Sequence, residues 1–110
     1  MVLSVVEYLD DQGESPFGSW FSSLDAPAAA RIAAAVSRME QGNFSAAKSI
    51  GGGVMEYRID AGPGYRIYFG RDGATLVILL AGGTKRRQQR DIDSAKARWS
   101  DYKKRKRETE

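Results

Sequence analysis

The chain has 110 residues, of which 42% are hydrophobic and 28% charged, and its sequence pI is about 9.3. This length allows one domain with a modest core. Because the chain contains neither cysteine nor histidine, disulfides, thiolate nucleophiles and serine–histidine–aspartate catalysis are excluded. The sequence has no apolar run of the ~18 residues that span a membrane and no secretory signal, so we expect a cytoplasmic protein.

Positive charge is concentrated towards the C-terminus. Residues 1–84 carry six Lys or Arg against nine Asp or Glu, a balance of −3, whereas residues 85–110 carry eleven against five, a balance of +6. Basic residues gathered in one segment are the pattern expected of a nucleic-acid-binding protein. A solvated helix face or an acidic protein partner would produce the same pattern, so composition alone leaves all three open.

The N-terminal half predicts one strand followed by a helical hairpin. The β-branched and apolar residues 2–9 predict the strand. Ser15 and Pro16 then form an N-cap with proline at the first helical position. A second start signal predicts a helix over 25–41, which Gly42 ends. The apolar stripe of the first helix consists of Phe17, Trp20, Phe21 and Leu24.

The C-terminal half predicts three strands, over residues 54–60, 65–71 and 75–81, after a loop at 43–53. The third strand is apolar on both faces, which predicts a central strand covered on both sides. A last helix is predicted over 85–104. Together with the first half this makes one α+β domain, residues 1–104, in the order β-α-α-β-β-β-α. We expect an antiparallel sheet with the helical hairpin on one face and a basic, frayed tail at 105–110.

Polar side chains fall on alternate positions of the first two C-terminal strands. If these strands pair through the turn at 61–64, the side chains share one face of the sheet. They are Glu56, Arg58, Arg66 and Tyr68. Three more cations, Lys85, Arg86 and Arg87, stand where the last strand meets the last helix. Cations in a first helical turn oppose the macrodipole at a cost of about 0.3–1 kcal/mol each where exposed. This position indicates a binding site for phosphate.

An RNA-cleaving site needs a cation for the charge on the phosphorane and an acceptor for the proton of the ribose 2′-hydroxyl. Arg58, Arg66 and Lys85 are candidates for the first role. In the absence of histidine, Glu56, a tyrosine or a lysine is the candidate for the second. A structural explanation stays open, with Glu56 and the arginines as cross-strand ion pairs and Tyr68 as sheet packing. The scattered acids lack metal-ligand spacing, so no metal or other cofactor is expected.

A set of short motifs runs in order through most of the chain, from Leu3 to about Lys103. The motifs are Ser15-Pro16-Phe17, Trp20, Leu24-Asp25, Gly42-Asn43-Phe44, Glu56-Tyr57-Arg58-Ile59, Gly62-Pro63-Gly64-Tyr65-Arg66-Ile67-Tyr68-Phe69, Gly82-Gly83-Thr84-Lys85, Gln88, Asp91-Ile92 and Ala95. In this order they resemble the phage-derived addiction-module killer proteins, a HigB-like branch of the RelE/ParE toxin superfamily. Any one motif is a weak signal, whereas the ordered set over so short a chain is specific.

The resemblance implies the RelE-type fold and the toxin of a type II toxin–antitoxin pair, whose partner is an antitoxin with a helix-turn-helix domain. It further implies metal-independent cleavage of mRNA on the ribosome. Arg66 matches the phosphate-stabilising arginine of the cleaving members, with Arg58, Lys85 and Arg86 at neighbouring basic positions. With Glu56, the predicted catalytic set is Arg66, Arg58, Lys85 and Glu56. The predicted RNA-binding set is Lys85, Arg86, Arg87, Arg90 and Tyr68.

Two other functions remain open at this point: a non-enzymatic ParE-like toxin that inhibits DNA gyrase, and a plain basic nucleic-acid-binding module. Some cleaving relatives place a tyrosine or histidine in the last segment, and the matching stretch here, residues 88–92, has neither. The cleavage hypothesis requires Arg58, Arg66 and Lys85 to converge on one phosphodiester. Burial of these side chains in internal ion pairs would contradict it.

Overall fold

The computed structural model describes residues 2–109, so residues 1 and 110, the ends of the predicted domain and of the predicted tail, lie outside the described residues. The α+β class and the RelE-type architecture are confirmed. The strands are β1 (Ser4–Glu7), β2 (Ala47–Gly51), β3 (Val54–Ile59), β4 (Tyr65–Asp72) and β5 (Leu76–Thr84), and the helices are α1 (Pro16–Ser22), α2 (Ala26–Glu40) and α3 (Gln88–Thr109). A single 3₁₀ turn at 85–87 joins β5 to α3.

The predicted helical hairpin is present, and both of its helices begin at the predicted caps. The Ser15 hydroxyl accepts a hydrogen bond from the Gly18 amide at 2.8 Å, and the Asp25 carboxylate accepts one from the Ala28 amide at 2.9 Å. Each cap satisfies an amide that the first helical turn leaves without a partner. The hairpin packs its apolar stripe on one face of the sheet, where the buried core residues include Phe17, Ile32, Met39, Ile67 and Phe69.

The five strands form one mixed sheet in the order β1-β5-β4-β3-β2. β2 to β5 form the antiparallel part, whereas β1 pairs parallel with β5. The prediction of a fully antiparallel sheet is therefore wrong for β1. The long excursion through α1, α2 and three strands returns the chain beside β1 in the same direction, which a short hairpin turn cannot do.

β2 lies within the segment predicted to be a loop, residues 43–53, so the order is β-α-α-β-β-β-β-α. This strand has no apolar alternation, because Ala47 and Ile50 are half-buried and its other residues are exposed. Antiparallel pairing with β3 holds it in place, with a register shift between Ser49 and Gly51. Backbone hydrogen bonds to a neighbouring strand leave no signal in the side-chain pattern, which explains why the strand was missed.

The helix α3 covers the second face of the sheet, the face on which the sequence predicted polar side chains. Its residues Ala95 and Trp99 pack against the strands in a second buried cluster with Tyr8, Val54, Tyr68, Ile78, Leu80 and Ala81. The domain thus has three layers, with the helical hairpin, the sheet and α3 stacked in that order. No helix within residues 2–109 has both the length and the apolar character that crossing a membrane requires.

Helix α3 is also longer than predicted, because it continues through residues 105–109 of the predicted frayed tail. Two side chains hold this last turn against the body of the protein. The Arg105 guanidinium donates a hydrogen bond to the Leu9 carbonyl at 2.7 Å, and the Lys106 ammonium donates one to the Asp72 carboxylate at 2.7 Å. These partners lie far away in the sequence, so the local composition could not predict them.

The indole ring of Trp20 lies directly against Gly82 of β5, where any side chain at position 82 would overlap the ring. We expect Gly82→Ala to lower the free energy of unfolding by about 1–3 kcal/mol, the usual effect of overpacking. Urea unfolding would measure this change. In a Trp20→Phe background, which offers a smaller ring, the same substitution is expected to have a smaller effect. Strictly additive effects of the two substitutions would contradict the contact.

Candidate functional site

The predicted polar residues come together on the second face of the sheet, across β3 and β4. In the antiparallel register of these strands, Arg58 stands opposite Arg66 and Glu56 stands opposite Tyr68. Two like charges directly opposite each other destabilise a strand pair unless a counter-charge lies between them. Glu56 supplies that counter-charge from the neighbouring position.

The Glu56 carboxylate is the centre of the cluster. Its Oε1 atom lies 3.6 Å from the Nε of Arg58 and 3.9 Å from the Nε of Arg66, and its Oε2 accepts a hydrogen bond from the Gln88 side-chain amide at 2.7 Å. The Glu56 side chain is fully buried. One carboxylate therefore pairs with two guanidiniums, so the formal charges of Glu56, Arg58 and Arg66 add up to +1.

The junction between β5 and α3 lies directly beside this cluster. The Gly64 carbonyl accepts a hydrogen bond from the Lys85 backbone amide at 2.9 Å and another from the Arg66 guanidinium at 2.7 Å. Gly64 has a φ of 75°, a conformation that favours glycine and lets its backbone approach both residues. The turn at 61–64 thus joins Lys85 to the same end of the sheet as Arg58 and Arg66.

The described cations differ in their access to solvent. The Arg58 side chain is 45% exposed, whereas that of Arg66 is only 3% exposed and lies beneath the surface in its ion pair with Glu56. Arg66 therefore does not meet the expectation that its guanidinium contacts a phosphodiester from the surface. Packing of α3 over this face is the physical reason. Lys85, Arg86, Arg87 and Arg90 are exposed at the junction and in the first turn of α3.

Tyr68 is completely buried beneath α3 and presents no surface to an RNA strand, unlike its predicted role in RNA binding. Burial, reinforced by the negative charge of Glu56, raises the pKa of its hydroxyl well above the usual value. The hydroxyl stays protonated at neutral pH. Within residues 2–109, the Tyr68 hydroxyl, Glu56 Oε1 and Arg66 Nε are buried atoms without a hydrogen-bond partner. Such a set marks a polar cluster enclosed within the protein interior.

Two residues of this cluster were absent from the predicted site. Gln88 binds Glu56, and the Asp91 carboxylate lies against Gly83 of β5, where it leaves no space for a side chain. Burial raises the pKa of the Asp91 carboxyl. Both residues lie in the first turn of α3, three positions apart, on the side of the helix that faces the sheet. Their positions among the motifs of the resemblance were the only sequence signal that could have identified them.

We expect Gln88→Ala to lower the free energy of unfolding by about 1–3 kcal/mol, because it leaves a buried carboxylate oxygen without its donor. The adjacent Gln89 offers a matched control, since its amide bonds only to the exposed Asp93. Gln89→Ala is expected to change the stability by less than about 0.5 kcal/mol. Chemical denaturation of both variants measures the difference. Equal stability of the two variants would contradict the role given to Gln88.

Comparisons with known proteins match the part of the chain that carries this cluster. A family model described as Phage derived protein Gp49-like (DUF891) matches residues 19–100. An uncharacterized protein of Haemophilus influenzae is 47% identical over 81 residues, which are 73% of this chain and 82% of that protein. The segment matched by the family model includes β2 to β5 and every candidate site residue from Glu56 to Arg90.

Proposed function

The chain belongs to the Gp49-like phage-derived family, the addiction-module toxin family of the RelE/ParE-like superfamily, and from this premise we propose that it is a ribosome-dependent mRNA endonuclease of the HigB-like branch. Membership of a toxin–antitoxin family implies an antitoxin as partner. For this copy we further propose mRNA on the ribosome as the substrate and the cytoplasm as the place of action.

The observation that supports cleavage is the group of cations at one end of the sheet. The half-exposed Arg58 guanidinium lies on the strand beside Arg66, and Lys85 adjoins Arg66 through the Gly64 carbonyl. Exposed Arg86 and Arg87 extend the positive surface. Guanidinium groups bind phosphate oxygens in a fixed planar geometry, and ammonium groups add point charges. A phosphodiester placed here would meet cations from two separate elements.

In the proposed reaction, the ribose 2′-oxygen attacks the adjacent phosphorus and the 5′-oxygen of the next nucleotide leaves, so that a 2′,3′-cyclic phosphate forms. Arg58 and Lys85 stabilise the negative charge that builds on the phosphorane oxygens. One group accepts the 2′-hydroxyl proton and one returns a proton to the leaving oxygen. Glu56 is the candidate acceptor, because its Oε1 has no hydrogen-bond partner. Since the Glu56 side chain is fully buried, this role requires the start of α3, which carries its partner Gln88, to move away from the carboxylate.

Arg66 has a different role in this proposal from the one that the sequence predicted. Its guanidinium is enclosed, binds the Gly64 carbonyl and lies beside Glu56. We assign it a positioning role, in which it holds the Glu56 side chain in place and fixes the turn whose Gly64 carbonyl binds the Lys85 amide. The residues that contact the phosphate are Arg58 and Lys85, together with the exposed neighbouring cations Arg86 and Arg87.

Induction of the protein in cells, followed by mapping of transcript 5′ ends, tests the proposal. We expect growth arrest together with new 5′ ends inside translated reading frames. These ends should vanish when translation initiation is blocked, because the substrate is mRNA on the ribosome. Growth arrest with intact transcripts would exclude the endonuclease.

The burial of Glu56 and Arg66, together with the lack of a tyrosine or histidine in residues 88–92, favours a second candidate function. A toxin with an enclosed carboxylate and no other acid–base partner could act by binding, as the ParE-like inhibitors of DNA gyrase do. That function predicts a DNA-damage response after induction and no new transcript ends. The same induction experiment therefore separates the two candidates.

A further inference from the structure

The outer strand β2 brings to the candidate site a cation that is absent from the predicted set. Lys48 stands directly opposite Glu56 in the antiparallel register of β2 and β3. Its neighbour Ala47 stands opposite Tyr57, and both pack in the core on the side of the helical hairpin. Because successive side chains of a strand point to opposite faces, Lys48 lies on the same face of the sheet as Glu56 and Arg58.

The ammonium group of Lys48 is not used within the described part of the protein. The residue is exposed, and none of the ion pairs or side-chain hydrogen bonds within residues 2–109 involves it. The carboxylate directly opposite, that of Glu56, already pairs with Arg58 and Arg66. The charge of Lys48 is therefore available to a ligand.

Lys48 completes a row of cations that crosses four neighbouring strands. Lys85 follows β5 and joins Arg66 of β4 at the turn that connects β3 and β4. Arg66 stands opposite Arg58 of β3. Lys48 of β2 is the diagonal neighbour of Arg58, at a Cα distance of about 7–8 Å. From the spacing between strands and the rise along them, the row from Lys85 to Lys48 spans about 20 Å.

Helix α3 adds a further cation beyond Lys48, at the end of the sheet away from Lys85. Lys96 is half-buried, and its side chain lies against Gly51 and Gly52 in the turn between β2 and β3. Lysine can pack its methylene stem on such a surface while its ammonium group stays in water. The accessible cations thus form a cationic line from the start of α3 to the β2–β3 turn, made of Lys85, Arg58, Lys48 and Lys96.

The cationic line is not covered by α3. The helix buries Glu56, Arg66 and Tyr68, whereas Arg58 is 45% exposed and Lys48 is exposed. Both exposed residues lie towards the β2 edge of the sheet, on β3 and β2 respectively. The covering helix therefore leaves a strip of the same face open along its flank.

Carboxylates offset only part of this positive charge. Asp60 stands two positions after Arg58 and Asp93 three positions before Lys96, but no ion pair within residues 2–109 joins either acid to the cationic line. The Asp93 carboxylate instead accepts a hydrogen bond from the Gln89 amide at 2.9 Å. A strip of uncompensated positive charge open to solvent attracts polyanions.

We propose that the cationic line binds the sugar–phosphate backbone of a single RNA strand, with Lys48 and Lys96 holding phosphates beyond the one at Arg58 and Lys85. A span of about 20 Å is longer than one phosphodiester, so cations at its two ends contact different phosphates. Proteins commonly hold single strands with a positive surface that follows the backbone. Lys48 and Lys96 are binding residues, away from the phosphate that is cut. The proposal rests on the proposed function only for the position of that phosphate.

A purely structural explanation of Lys48 makes a different prediction. β2 is an outer strand, and exposed lysines keep such strands from pairing with other chains. That role requires no RNA and gives Lys96 no part. It predicts that removal of the Lys48 charge causes self-association and leaves the affinity for RNA unchanged.

The test is binding of the full-length protein to an RNA that cannot be cut. The probe is a single-stranded oligoribonucleotide with 2′-O-methyl groups throughout, which lacks the attacking hydroxyl. Lys48→Gln with Lys96→Gln removes two charges from the cationic line, and Arg31→Gln with Lys104→Gln removes two exposed charges elsewhere as a matched control. We expect the first pair to raise Kd at least about tenfold and the control to change it less than about twofold, with similar unfolding midpoints.

The dependence of the affinity on salt tests whether the contacts are made to phosphates. Each phosphate contact on a single strand contributes about 0.7 to the slope of log K against log salt concentration. The slope is expected to fall by about 1.4 in the Lys48→Gln and Lys96→Gln variant and to stay unchanged in the control. Lys48→Arg with Lys96→Arg keeps both charges and is expected to bind within about twofold of the unchanged protein.

Three outcomes would overturn the proposal. The first is equal affinity of the two glutamine double variants, and the second is an unchanged protein that does not bind the oligonucleotide. The third is self-association of the Lys48→Gln variant in sedimentation velocity without loss of RNA affinity, because the lysine would then protect the sheet edge.

These measurements are independent of cleavage, since the probe cannot be cut. If the induced protein leaves transcripts intact while Lys48 and Lys96 are needed for binding, the endonuclease proposal fails and the cationic line stands. If transcripts are cut while the Lys48→Gln and Lys96→Gln variant binds the probe as the control does, the reverse holds.

Discussion

Replacement of Arg66 by alanine is expected to lower the free energy of unfolding by about 3–5 kcal/mol, the usual effect of removing one partner from a buried ion pair. Arg66 and Glu56 have side chains that are 3% and 0% exposed, and Glu56 would be left in the interior with only Arg58 and Gln88 beside it. The Gly64 carbonyl would also lose its donor from Arg66. Equilibrium unfolding in urea measures the loss.

Two further variants separate this explanation from a simple packing defect. Arg66→Ala combined with Glu56→Gln is expected to recover part of the lost stability, because the second change removes the uncompensated charge. Arg58→Ala is expected to cost at most about 1 kcal/mol, since Arg58 is half exposed to solvent, which screens its interaction with Glu56. Equal losses for Arg58→Ala and Arg66→Ala, or no recovery in the double variant, would show that the buried pair is not the cause.

The second large effect concerns activity without loss of the fold. The double variant Arg58→Ala and Lys85→Ala is expected to reduce the rate of mRNA cleavage at least about 10²–10³-fold, the range measured when one electrostatic stabiliser of a transition state is removed. Both side chains are exposed or half-exposed, so stability should change by less than about 1 kcal/mol. Single-turnover cleavage of a ribosome-bound message measures the rate.

A control variant must remove the same charge elsewhere. Arg31→Ala with Lys104→Ala takes two exposed cations from α2 and from the C-terminal part of α3. It lowers the net charge equally and should leave the cleavage rate within about twofold, because Arg31 and Lys104 lie away from the cluster. If both double variants lose activity to the same extent, only the overall charge matters and the site has another location.

The local elements could be predicted because their signals lie in neighbouring residues. The side chains of Ser15 and Asp25 each accept a hydrogen bond from a backbone amide in the first turn of their helix. The alternation in β3 and β4 placed Glu56, Arg58, Arg66 and Tyr68 on one face, and the structure has them there. By contrast, β2 was missed because its backbone pairing carries no side-chain pattern.

The sequence predicted which residues form the candidate site but not which of them are buried. Alternation tells which side chains share a face, but not what covers that face. Glu56, Arg66 and Tyr68 are buried because α3 packs on them with Ala95 and Trp99. Gln88 joins the cluster because the helix start lies above Glu56. Each of these contacts joins α3 to a strand that lies far from it in the sequence.

The sequence by itself determined the starts of α1 and α2, the two strands that carry the cations, the excess of positive charge in the last segment and the family resemblance. Those properties are local or cumulative, and each depends on residue type and spacing. Only the tertiary structure decided which cations face solvent and which of them line up across the sheet. Burial and pairing depend on where distant elements meet, and the same alternating strand is a surface or an interior according to whether a helix packs against it.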